Sequence, residues 1–271
     1  MSNDRIDNKL KEYPSIWVKF AIMAVFILIM IFLGKITLQF NEITELGVRL
    51  IKGALYGLIT PSWETIIDLS KNGLLYMVLE TFAIGFLGTI IGAVLSIPLA
   101  FLCSHRTAPR WVNIIFITLV TVVRSFPTIM IAIMFVKTVG SGPFAGVLTM
   151  SIGSTGMITK MTMEAIEDLD NGVVEALDAS GCNAFTKIRL GILPQLSAAM
   201  LSNILYRLDI NVKNASILGL VGAGGIGAAL IVGIEYRKWN DVGALLWGIV
   251  ILVLIIELVS TKIRKSISSK D

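Results

Sequence analysis

Several polar side chains stand where an apolar chain would not be expected to carry them. Arg124 falls inside the apolar run 112–136, and Arg207, Asp209, Asn211 and Lys213 crowd the run 196–221. An ionisable group near the centre of a bilayer costs about 2.5–3.5 kcal/mol on insertion scales, so each one needs a physical reason. At ~1.5 Å of rise per residue, Arg124 lies about half-way along its run and the others lie at comparable depth. Two readings remain open. In one, Asp209 pairs with Arg207 or Lys213 and the charges only hold a helix bundle together. In the other they line a cationic, water-accessible pathway, with Arg124 and Lys213 facing it. Glu80 and Lys160 lie near the ends of their runs and read as interfacial, snorkelling residues. No nucleophile–base pair and no metal-ligand spacing accompanies these groups, so the sequence nominates no catalytic residue and no metal.

Gly222, Gly224, Gly225 and Gly227 match the spacing Gly-x-Gly-x-x-Gly. That fingerprint cradles a dinucleotide only between a strand and a helix of a parallel sheet. Both flanks here are apolar segments, so the glycines are expected to turn the backbone at the mouth of a bundle, on its exterior side. Asn214-Ala-Ser216 fits a glycosylation sequon but lies inside an apolar run. His105 beside Arg106 reads as a solvated loop residue, and Cys103 and Cys182 form no disulfide framework. No Gly-x-x-x-x-Gly-Lys-Ser/Thr phosphate loop occurs, so the chain lacks the usual means of hydrolysing ATP.

The elements that must position these residues are apolar helices. The 271 residues are 55% hydrophobic and 15% charged, and mean hydropathy is +0.81. Soluble domains run nearer 45–50% apolar and about 25% charged, so this is an integral membrane protein. Six runs emerge, Ile16–Leu33 and approximately 76–103, 112–136, 143–163, 196–221 and 241–262, each near the ~20 residues that span a bilayer. The first ends in Gly34-Lys35 without a signal-type cleavage site and reads as an uncleaved anchor. Residues 35–75 read as an interfacial connector with amphipathic helix. Net charge is +4, but the basic residues flank apolar runs, which marks topology rather than nucleic-acid binding. If six helices alternate, Arg5, Lys9, Lys11, Arg106, Arg110, Lys187, Arg189 and the 263–271 tail all fall on one side. The positive-inside rule then puts both termini and the loop 164–195 in the cytoplasm. Gly85, Gly88 and Gly92 permit close helix approach.

That loop is a polar, helix-breaking island. Asp170-Asn171-Gly172 can cap a helix, with Asn171 or Gly172 at the cap and Glu175 in its first turn. Gly181 would end it, Asn183 would cap a second short helix, and Pro194 would mark that helix's exit. The pattern resembles the cytoplasmic coupling loop of ABC importer permeases: Glu-Ala-Ala, three residues, Gly, nine residues, Ile-x-Leu-Pro. Glu175, Ala176, Gly181, Leu193 and Pro194 match, while Leu177 replaces the third small residue and Gly191 stands where Ile is usual. Residues 206–227, Arg124-Ser-Phe-Pro127 and 156–167 resemble the phosphonate permeases of that family, so the likeness covers roughly 76–262.

The resemblance implies an all-α membrane protein with about six transmembrane helices, in the type I importer permease fold with cytoplasmic coupling helices. Residues 1–75 form an N-terminal segment, 76–262 the permease domain and 263–271 a basic tail. It implies a subunit that forms the pathway for phosphonate or a related phosphorus oxyanion in a bacterial-type plasma membrane. Its expected partners are ABC ATPase subunits on the island, which would use ATP and Mg, an extracytoplasmic substrate-binding protein, and a second permease. The alternatives are a permease for another small solute such as methionine, or an ion-driven secondary transporter.

Overall fold

A computed structural model of the chain describes residues 16–37, 44–70 and 73–268, and every regular element among them is helical. Two compact units divide the chain, Met1–Leu50 and Ile51–Asp271. In the first, α1 (Ile16–Thr37) is apolar around its whole circumference and exposed, the character of a span that meets lipid on all faces. α2 (Glu45–Ile59) contributes its part from Ile51 onward to the second unit.

The second unit continues with α3 (Trp63–Ile67), α4 (Leu74–Cys103), α5 (Arg110–Ser125), α6 (Thr128–Val139), α7 (Pro143–Glu167), α8 (Asn171–Ala179), α9 (Ala184–Lys187), α10 (Leu193–Leu218), α11 (Ile226–Glu235) and α12 (Trp239–Ser268). The connector from residue 51 is built into this body. The Trp247 indole donates to the Leu58 carbonyl at 2.9 Å, and the Thr65 hydroxyl donates to Asp241 at 2.7 Å.

α4 and α7 form the centre. A Cβ on Gly88 would collide with Met150, and one on Gly92 would stand 2.9 Å from the Ser151 carbonyl oxygen. On the same helix, a Cβ on Gly85 would meet the Val212 backbone of α10 at 3.0 Å. The expected role of these glycines in close helix approach is therefore realised. Buried hydroxyls on these helices bond back along their own helix, as Thr89 does to Gly85 O (2.6 Å) and Thr149 to Ala145 O (2.8 Å).

Among the described residues, four helices are long and apolar enough to cross a membrane: Trp17–Ile36, Leu74–Cys103, Phe185–Val221 and Trp239–Ile267. A bent pair, Arg110–Ser125 with Thr128–Val139, can serve as a fifth. The remaining expected run is α7. Its 25 residues are ample for a span, but its serines, threonines and glycines face neighbouring helices and dilute its apolarity. The expected single helix over 112–136 is instead broken, with a bend of 83°. Pro127 has no N–H to donate and forces Phe126 into an extended conformation (φ −78°, ψ 126°), so the ladder stops there.

Candidate functional site

Arg124 occupies the last turn of α5, just before the break, and Arg207 the middle of α10. The two meet at one cavity of about 170 Å³, with Thr128, Gly153 and Met157 also in its wall. Arg207 is only 8% exposed, and its Nε donates to Ser154 Oγ at 3.4 Å. The α7 surface beneath both side chains is cut back to glycine. A Cβ at Gly153 would lie 3.1 Å from Arg207 Nη2, and one at Gly156 would lie 2.6 Å from Arg124 Cγ.

Asn211, one turn beyond Arg207, is fully buried and donates from Nδ2 to Thr89 Oγ1 (2.8 Å) and Ser154 Oγ (2.5 Å). Ser154 Oγ thus accepts from both Asn211 and Arg207 and ties α4, α7 and α10 together behind the cavity. No carboxylate is among the described residues that line it. Two guanidinium groups share a small space with no counter-charge, an arrangement that an anion relieves.

Asp209 and Lys213 lie elsewhere. Lys213 Nζ is 2.9 Å from Asp209 Oδ2 and 3.8 Å from Glu257 Oε2 of α12. Helical spacing explains the division: 207 and 211 share one face of α10, and 209 and 213 share another. Lys213, grouped with Arg124 in the sequence reading, therefore sits in a separate ion-pair cluster, and Asp209 leaves Arg207 unneutralised. The sequence reading missed Gly153, Ser154 and Gly156. Their signal was present in the small-residue spacing along 143–163.

At the end of α10 opposite the island, the chain reverses through Gly219–Val221 and the glycine run. Gly222, Gly224 and Gly225 adopt φ of +86°, +82° and +74°, a region closed to most side chains. A Cβ on Gly227 would collide with the Ser216 carbonyl. Glu80, read from the sequence as a snorkelling residue, instead accepts from Gly225 N at 3.0 Å, and Thr81 Oγ1 accepts from Ile226 N at 2.9 Å. Both occupy the N-terminus of α11, where orphan N–H groups attract a carboxylate. Lys160 pairs with Glu164 at 2.7 Å.

The island is a helix, a sharp turn and a second helix. Its first cap lies one residue earlier than expected: Asp170 accepts from Gly172 N at 3.0 Å. Glu175 consequently falls in the second turn of α8, exposed, and Asp170 supplies the N-terminal carboxylate. Gly181 (φ +72°) ends α8 in a Schellman arrangement, with Cys182 N bonded to Leu177 O and Gly181 N to Asp178 O. Asn183 caps the second helix through Thr186 N at 2.8 Å.

Pro194 does not end that helix, contrary to expectation. A π turn over Ile188–Ile192 carries α9 directly into α10, with Leu193 N bonded to Ile188 O. The wider turn places the proline among the first residues of α10, and the Gln195 side chain donates to Gly191 O at 2.8 Å. Asp178 and Lys187 form an ion pair between the two island helices. At the island's base the His105 ring nitrogen lies 2.7 Å from Glu167, so His105 is paired, though exposed. Arg106 donates to Leu169 O at 2.7 Å.

The two departures from the coupling-loop pattern meet in space. A Cβ on Gly191 would stand 2.6 Å from Leu177 Cδ1, so the glycine makes the room that the leucine fills.

Residues 92–270 match the family model described as binding-protein-dependent transport system inner membrane component. The phosphate-import permease protein PhnE of Mycolicibacterium smegmatis is 36% identical over 189 residues, 68% of this chain and 35% of that protein. The putative phosphite transport system permease protein HtxC of Stutzerimonas stutzeri is 33% identical over 186 residues, 68% of this chain and 66% of that protein. The chain thus spans about a third of the first relative and just under two thirds of the second. Among solved structures, an inward-facing MetNI methionine ABC transporter chain superposes with a TM-score of 0.62 at 23% identity, covering 72% of this chain and 95% of that one. That likeness shows that the chain shares the fold of that transporter chain. The chain is a multi-pass membrane protein and belongs to the binding-protein-dependent transport system inner membrane components.

Proposed function

We propose that this chain is the membrane-spanning subunit of an ATP-driven importer and forms the pathway for a phosphonate or a related phosphorus oxyanion. The observation that carries this reading is the cavity shared by Arg124 and Arg207 with no carboxylate in its wall. Guanidinium groups match phosphorus oxyanions in charge and geometry. A zwitterion such as methionine would need an anionic partner for its ammonium group, and this cavity offers none, which favours a phosphorus oxyanion over an amino acid. The names of the phosphate and phosphite permease relatives point the same way.

The island at 164–195 is the surface on which an ATPase subunit would dock from the cytoplasm, with both termini on that side. ATP and Mg would be used there, by the partner. Helical structure runs from Phe185 to Val221, about 55 Å at 1.5 Å per residue. It begins in the island, carries Arg207 and ends at the glycine turn, where an external binding protein would deliver cargo. A second permease copy would complete the pathway. Closure of the ATPases would move the island, and the α10 rod would carry that motion to Arg207, alternating the side from which the cavity opens.

The test is uptake in proteoliposomes holding the full assembly. ATP-dependent accumulation of a phosphonate, reduced roughly ten- to a hundredfold in Arg207→Gln with assembly intact, is expected. Uptake by this chain alone, driven by a proton gradient, would overturn the reading in favour of a secondary transporter.

A further inference from the structure

The arginine cavity has an apolar annex. A second cavity of about 290 Å³ adjoins it, and Val123, Phe126, Ile131 and Ile152 line both. Beyond these shared residues the annex is walled by Met134, Phe135 and Thr138 of α6. The Thr138 hydroxyl is bonded to the carbonyls of Met134 and Phe135 on its own helix (both 3.1 Å), so the wall carries no free polar group aimed inward. The break at Phe126–Pro127 creates the pair of spaces: α5 presents Arg124 to one, and α6, turned through 83°, presents its apolar face to the other. A bare oxyanion such as phosphite or phosphate would fill only the charged half.

Resting on the importer reading, we propose that the two cavities form one bipartite binding site within the membrane domain. It takes a monosubstituted phosphorus oxyanion whose head lies between Arg124 and Arg207 and whose apolar substituent lies in the annex. The membrane subunit then discriminates for organophosphonates, or phosphate esters with an apolar group, against the unsubstituted anions. The annex is large enough for a short alkyl or aryl group, since an apolar cavity of about 150 Å³ suffices for benzene. Each methylene removed from water contributes about a three- to fourfold gain in affinity.

The experiment measures binding of phosphite, methylphosphonate, propylphosphonate and pentylphosphonate to the full chain in phosphatidylcholine nanodiscs, with partition into empty discs subtracted. Affinity is expected to climb about threefold or more per methylene from methyl to propyl, with phosphite weakest. Met134→Gln, which changes polarity with little change of size at a residue that lines the annex alone, should flatten that series and leave phosphite binding unchanged. Arg207→Gln should weaken every member. Equal affinity for phosphite and pentylphosphonate would overturn the bipartite site while leaving the anion site and the importer reading intact. Failure of all four anions to bind, with Arg207→Gln without effect, would overturn the anion site itself. Pentanol binding as tightly as pentylphosphonate would show that the arginines do not hold the head, and would also refute the proposal. An anionic lipid has the same chemistry, so the series is repeated with phosphatidic acid in the discs. Undiminished pentylphosphonate binding supports a soluble cargo, whereas displacement by the lipid assigns the site to lipid and overturns the proposal.

Discussion

Exchanging the sizes of Leu177 and Gly191 should leave the island intact, although either change alone damages it. Gly191 is buried in the π turn, and its missing Cβ would stand 2.6 Å from Leu177 Cδ1 and 3.7 Å from Val173 Cγ1. Gly191→Ile adds that Cβ and three further carbons into space the leucine already fills. Such overpacking costs about 1–3 kcal/mol, offset by about 0.5–1 kcal/mol from removing glycine's conformational freedom, for a net loss near 1.5 kcal/mol. Leu177 is half-buried, so Leu177→Ala forfeits only part of the 2–5 kcal/mol of a full core truncation, about 1 kcal/mol. If the positions were independent, the double variant would lose about 2.5 kcal/mol. Because isoleucine in the double variant occupies the vacated space, we expect a loss of about 1 kcal/mol or less, a coupling energy of about 1.5 kcal/mol. Amide hydrogen exchange over residues 184–192, read with 171–180, measures the island's local opening free energy directly. Additivity within about 0.3 kcal/mol would refute the argument that the two residues are one packing feature.

Other substitutions separate the remaining sites. Arg207→Gln should reduce ATP-dependent anion uptake by roughly ten- to a hundredfold, the scale of one charge-assisted hydrogen bond, while Arg207→Lys retains part of it; radiolabel uptake per assembled transporter checks this. Lys213→Gln leaves Asp209 and Glu257 without their shared cation. It should lower the melting temperature in detergent, because two carboxylates within the span lose their cation, yet leave uptake per folded transporter within about twofold, since 209 and 213 lie on a different face of α10 from the arginine cavity. Glu80→Ala removes the acceptor for Gly225 N, which should speed exchange of the Gly225 amide at a cost of about 0.5–1 kcal/mol, as judged by the same exchange measurement, while Ile226 N keeps its Thr81 acceptor.

The helical, membrane-spanning character of the chain was legible because apolar length is a physical requirement of the bilayer. So were the island's punctuation marks: Gly181 and Asn183 do what their backbone preferences dictate. What failed was register and partnership. The α5–α6 break was hidden because hydropathy averages over Phe126-Pro127, although a proline in mid-run was the available signal. Pro194 was misread because a proline forbids an N–H donor but not a helix, and a π turn can absorb the vacancy. The charges at 207–213 could be assigned to the membrane interior but not to neighbours. Their division into an arginine face and a lysine–carboxylate face depends on where α7 and α12 lie. Gly191 and Leu177 looked like separate departures from a pattern, and only their contact makes them one.

The π turn has a mechanical consequence of its own. An α-helix advances by about 100° per residue, so a single-residue deletion within the turn would restore α-register and rotate everything before it by about that angle. Deleting Gly191 should leave α10, Arg207 and the cavity in place, because the helix beyond Leu193 keeps its packing against α4, α7 and α12. Asp178, Lys187 and the exposed apolar side chains of Phe185 and Leu190 would then face a different direction relative to the membrane helices. Anion binding to the isolated chain is expected to persist, while ATP-dependent uptake falls to background and any remaining ATP hydrolysis by the assembly no longer responds to cargo. The rod from Phe185 to Val221 can transmit motion only if its angular register is fixed. Retained uptake in the deletion would therefore show that coupling does not travel through α10, whatever the island's role in docking.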